Sequence, residues 1–225
     1  MKANRDEERL FPKSIKEVAE LEKYYKKDIT QLIDDLGRWT SIKQFTHSTC
    51  WIIGNGTSRK NLNLEKLTRF YKSNPTQKNK SFVIGCNYIY KEFQPDLIVA
   101  QDTKVLLKMV EDDVDIPVVA PLLKYNWARN SGGRNLRKFF CLRFPTYSMT
   151  RWNSGDLAIY MGALLGFKSL MLVGFDGGAS SMYREDDGVS FVKQIETYRK
   201  INIIKNSFEN LSINIYEDNL QKPSA

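Results

Sequence analysis

Short apolar runs separated by segments of helical spacing occupy most of the chain from residue 50 onward. The runs Cys50–Ile53, Phe82–Gly85, Leu97–Ala100, Val118–Ala120, Phe139–Leu142, Leu170–Val173 and Ile213–Tyr216 are apolar nearly throughout, as expected of strands buried on both faces. Between or after several of them, Leu62–Tyr71, Thr103–Val110, Asp156–Leu165 and Phe191–Phe208 repeat apolar residues at three-and-four spacing. Strands buried on both faces need helices over each, so the pattern predicts an α/β, Rossmann-like domain with a mostly parallel sheet flanked by helices, over residues 49–220. Residues 1–48 differ. There Ile15, Val18, Leu21, Tyr25, Ile29, Leu32 and Ile33 mark one amphipathic helix, and Ser14 with Glu17 forms a capping-box pattern at its start. With ten basic and nine acidic residues this N-terminal helical extension is nearly neutral, which suits packing or a homo-oligomer surface.

The 225 residues suffice for one full domain and a small appendage. No run approaches the ~18 apolar residues of a membrane span, and MKANRDEERLF lacks the apolar core of a secretory signal, so a cytoplasmic protein is expected. Cys50, Cys86 and Cys141 are widely spaced in apolar stretches and read as buried thiols; with His47 the sole histidine and no CxxC, a zinc site is not expected.

Charge adds something the pattern does not. The net charge is +8, and residues 116–155 carry Lys124, Arg129, Arg134, Arg137, Lys138, Arg143 and Arg151 with no acid. So concentrated a field attracts phosphate-bearing ligands or acidic polymers. Tyr125, Trp127, Phe144, Tyr147 and Trp152 interleave with the cations, and Gly132 and Gly133 suggest a lid loop over about residues 121–152. The same composition suits a nucleic-acid acceptor, through phosphate contacts and base stacking.

Polar residues follow the strand candidates where a parallel sheet places its ligands, beyond the carboxyl ends. WIIGNGTSRK runs from the first strand into Gly54, Asn55, Gly56, Thr57 and Ser58, a turn whose backbone N–H groups could face an anion. The second strand ends at Asn87 and the third at Asp102. In WNSGDLAIYMGALLGFKSLMLVGFDGG, Asn153 or Ser154 can cap the helix that begins near Gly155, Gly166 can end it, and the following strand presents Asp176 between glycines.

The set GNGTS, CNYIY, a polar residue after the third strand, NSG and LGFKSLMLVGFDG, spanning about residues 50–178, resembles the bacterial sialyltransferases of glycosyltransferase family 42. It is also similar to the related 6-hydroxymethylpterin diphosphokinase-like proteins. The first resemblance implies a nucleotide-activated donor such as a CMP-sugar, bound by Asn55, Gly56, Ser58, Asn87, Ser154 and Gly155, with Asp102 near the donor and a glycan as acceptor. It also implies a lid whose Tyr147 and Arg151 stabilise the departing phosphate. Those sialyltransferases use a histidine beyond the last glycine-rich strand as general base; this chain has none after His47, leaving Asp176, Glu185, Asp186 or Asp187 as substitutes. The second resemblance implies pyrophosphoryl transfer from ATP, with Asp102 and Asp176 holding Mg2+. The missing histidine equally suits a non-catalytic module whose basic strip binds nucleic acid or protein.

Overall fold

A computed structural model describes residues 49–67, 81–121, 124, 130, 139–142, 152–176 and 191–216. The N-terminal helix expected over residues 13–36 and nearly all of the basic lid, Arg143, Tyr147 and Arg151 included, lie outside them.

Among the described residues seven strands form one sheet: β1 (Thr49–Ile53), β2 (Phe82–Cys86), β3 (Leu97–Val99), β4 (Val118–Pro121), β5 (Phe139–Leu142), β6 (Ser169–Val173) and β7 (Ser212–Ile215). Every pairing is parallel, in the order β5-β4-β3-β2-β1-β6-β7. The chain thus lays down β1 to β5 in one direction, then returns to the far side of β1. The topological switch point, where open α/β sheets leave a crevice for ligands, falls between β1 and β6.

The strand alternation sorts side chains onto two covered faces. Cys50, Ile52, Ile84, Val99, Leu170 and Leu172 meet α2 (Ser154–Leu164) and α3 (Phe191–Ser207) in one apolar cluster. On the opposite face Ile98, Ala100 and Val118 meet Val105, Leu106 and Met109 of α1 (Thr103–Glu111), while Ile53, Val83 and Val173 pack with Ile89 and Phe93. α2 is apolar nearly all round and buried on every side, the central helix of the domain. Tyr160 meets Trp152 edge-on at 6.1 Å and Phe208, just beyond α3, at 6.1 Å.

Helix ends follow local chemistry. Asp102 caps α1 by accepting from Lys104 N at 3.0 Å. Asn153 caps α2 in a reciprocal box with Asp156, each side chain accepting the other's backbone N–H at 2.9 Å. Gly166 closes α2 with φ +91°. One expected element is different: within Leu62–Tyr71 the described part is a 3-10 turn over Leu64–Lys66, preceded by another over Thr57–Asn61. Asn63 caps the second turn by taking the N–H of Glu65 on its side chain; Leu67 is extended (φ −75°, ψ 97°), so no helix passes through it.

Cys50 and Cys86 are free and buried. Burial, reinforced by the negative charge of Asp156, pushes the Cys86 thiol up to about 12; burial also raises Cys50. A thiol needs its thiolate to react, so peptide-mapped alkylation at neutral pH is expected to leave both unmodified in the native state and to label both on unfolding. Labelling of Cys86 in folded protein would contradict this packing.

Candidate functional site

The rim at the carboxyl ends of the strands has two parts. The first joins the loops after β1 and β6. Gly54 N donates to Val173 O at 2.7 Å and Gly56 N to Gly174 O at 2.9 Å, so the two loops bond directly at the switch point. Asp176 then clasps them: its carboxylate accepts from Ser58 N at 2.9 Å, from Thr57 Oγ1 at 3.4 Å and from Ser58 Oγ. The N–H and hydroxyl of Ser58, expected to face an external anion, face an internal one. Beneath the turn lies Arg59, 2% exposed, donating to Gly54 O at 3.0 Å and to Glu92 Oε1 at 2.7 Å. Asn55 Oδ1 is buried there without a hydrogen-bond partner among the described residues.

The second part gathers β2, β3 and α2. Ser154, 5% exposed, donates its hydroxyl to Asn87 Oδ1 at 2.9 Å and accepts from Gln101 N at 3.2 Å. Asn87 holds left-handed backbone (φ 53°), which asparagine tolerates better than most residues. Cys86 donates its thiol to Ser154 O at 3.7 Å. Phe175 connects the two parts: a Cβ on Gly155 would lie 2.9 Å from Phe175 Cε1, so only glycine lets the first turn of α2 come this close to the loop after β6.

Of the sequence-derived candidates, Gly54, Asn55, Gly56, Thr57, Ser58 and Asp176 thus share one part of the rim, and Asn87 and Ser154 the other. Asn153 and Asp102 are spent on helix caps. Among the described residues no three His, Cys, Asp or Glu side chains form a group able to hold a metal ion. Lys124, first cation of the basic segment, donates to Thr103 Oγ1 at 3.0 Å, which brings that segment's start to the head of α1.

Comparisons with models of protein families, with curated proteins and with solved structures find no match. Among the described residues no helix is long and apolar enough to cross a membrane.

Sequence reasoning missed three contributors. Arg59, within TSRKN, has the look of a solvated cation. Gln101 acts through its backbone N–H, which no side-chain motif announces. Asp156 belongs to an Asn-x-x-Asp variant of the capping box and also pairs with Lys200 Nζ at 2.8 Å; the spacing from Asn153 was the available signal.

Proposed function

We propose that this chain is a transferase that binds a nucleotide-activated donor at the β2–β3–α2 corner of the rim and passes its group to a hydroxyl-bearing acceptor, with glycosyl transfer, the chemistry of the family 42 sialyltransferases, as the reaction. The observation that carries this reading is the meeting of Asn87, Gln101 and Ser154, from three separate segments, at the carboxyl-end rim of a parallel sheet, on the β2–β3 side of the switch point. The unbalanced cations of residues 116–155 supply charge suited to a leaving nucleotide phosphate, with Tyr147 and Arg151 in that role. Asp176 and Asp102 are the carboxylates proposed to activate the acceptor; to act, each would have to exchange its present backbone partner for the acceptor hydroxyl.

Calorimetry and thermal shift with CMP, CDP, UDP, GDP and ATP, with and without magnesium, test the donor. One nucleotide is expected to bind and to be lost in the Asn87→Ala/Ser154→Ala double variant. Binding that survives the double variant rejects this corner.

The engagement of Asp102 as a helix cap and of Asp176 in the loop clasp favours a second reading, a binding module without catalysis whose basic strip takes a nucleic acid. That reading predicts salt-sensitive polymer binding that free nucleotides do not displace and that persists in the Asp102→Asn/Asp176→Asn double variant.

A further inference from the structure

Within the proposed donor site, the hydroxyl of Ser154 has one proton to give and lone pairs to receive. Gln101 contributes a backbone N–H, which can only donate, and it lies 3.2 Å from Ser154 Oγ. That contact occupies one of its two lone pairs, and among the described residues Ser154 Oγ has no polar neighbour to take its proton other than the side-chain amide of Asn87, 2.9 Å away. A proton donor must meet an acceptor, so the Asn87 atom facing Ser154 is its carbonyl oxygen. The amide orientation, which shape alone does not fix, is therefore set by the backbone just after β3 through one hydroxyl. The Asn87 NH2 is turned away from Ser154, and it has no partner among the described residues.

We propose that Ser154 is a positioning residue that presents the Asn87 NH2 to the ligand, so that this corner selects an oxygen with lone pairs and no proton, on a phosphate or on a nucleobase carbonyl. The inference rests on the donor-site reading for its ligand, but the orientation itself exists in the free protein. The left-handed backbone of Asn87 (φ 53°) carries the chain directly from β2 into the following turn and holds the side chain at the strand end, where the chemistry requires it.

Two measurements test it. A neutron structure of the deuterated, unliganded protein is expected to show the Ser154 deuterium directed at Asn87 Oδ1 and the two amide deuteriums on the opposite side; amide deuteriums directed at Ser154 Oγ would overturn the proposal. Asn87→Asp keeps an acceptor toward Ser154 and replaces the NH2 by an oxygen. Titrated with the tightest nucleotide of the panel, this variant is expected to bind on the order of 10- to 100-fold more weakly, the range for losing a charge-assisted bond. Titration with the matching nucleoside and with ribose 5-phosphate distinguishes the sources: a loss confined to the nucleoside assigns the contact to the base, and one confined to ribose 5-phosphate assigns it to the phosphate. Undiminished nucleotide affinity in Asn87→Asp rejects the donor role. If no nucleotide binds the wild-type protein, the donor-site reading fails, and the neutron structure still decides the orientation.

Discussion

Lys200→Met is expected to destabilise the domain by about 3 kcal/mol, the lower end of the range for stripping one partner from a buried ion pair. Lys200 Nζ lies 2.8 Å from Asp156 Oδ2, and the two side chains are 16% and 1% exposed. The same oxygen accepts from Asn153 N at 2.9 Å, while Asp156 Oδ1 is buried without a partner among the described residues. Without Lys200 the carboxylate keeps its full desolvation penalty at the head of α2, two residues from Ser154. The double variant Asp156→Asn/Lys200→Met removes both charges and is expected to recover more than half of the loss in urea denaturation. Equal losses in the single and double variants would show that the two groups are not coupled.

The pH dependence of the single variant has a definite sign. Burial raises the Asp156 carboxyl above its ordinary 3.8, against the lowering effects of Lys200 and of the Asn153 N–H, while the charge of Glu196 adds to the rise. Above the unfolded value, the folded state therefore binds more protons than the unfolded state, and this group's contribution to stability falls as pH rises. Losing Lys200 removes a lowering influence and pushes the folded value higher. The deficit of Lys200→Met relative to wild type is thus expected to be largest at neutral pH and to shrink on acidification toward the ordinary carboxylate range. A deficit that grows on acidification would contradict the assignment.

Gly54→Ala is expected to destabilise by about 2 kcal/mol or more, as overpacking against an unyielding neighbour does, and to weaken any ligand held at the rim. A Cβ on Gly54 would lie 2.5 Å from Gly174 O and 3.2 Å from Phe175 Cε2. The nearest atom is backbone and cannot rotate away. Gly174 itself is held at φ +72°, and a Cβ on it would reach Gly54 O at 2.9 Å, so neither loop can retreat freely. Separating them would also break the bonds from Gly54 N to Val173 O and from Gly56 N to Gly174 O. Ser58→Ala, which removes only an exposed hydroxyl from the Asp176 clasp, is expected to cost about 1 kcal/mol or less. Thermal denaturation of the two variants measures the contrast; a Gly54→Ala protein as stable as wild type would refute the close approach of the loops.

The middle of the sheet was legible because strands such as β2 and β3 are buried on both faces, and continuous apolar runs such as Phe82–Cys86 have few other uses, whereas β7 at the edge is exposed or half-buried throughout. The helix at 103–111 was legible from its apolar spacing, and that at 154–164 from its Asn153 cap and closing Gly166. Within Leu62–Tyr71 the described residues form only one 3-10 turn, because the backbone becomes extended at Leu67, which apolar spacing does not register. At the site, sequence placed Asn87, Ser154, the GNGTS turn and Asp176 at strand or helix ends, since end positions follow from element boundaries. It did not reveal that Asp176 turns inward onto Ser58, or that Gln101 contributes through its backbone. Those are contacts between segments as much as 118 residues apart, and only the packed sheet brings them together.

The place of β1 between β2 and β6 has a consequence for biosynthesis. Thr49 and Ser169 are neighbours across that pairing although 120 residues separate them. As the polypeptide leaves the ribosome, β1 can join β2 early, but its other flank stays bare until the segment carrying β6 has emerged. Such a bare flank can recruit a strand from another nascent molecule. Fragments ending before residue 169 are therefore expected to accumulate as aggregates, whereas those that include β6 and β7 hide the middle of the sheet.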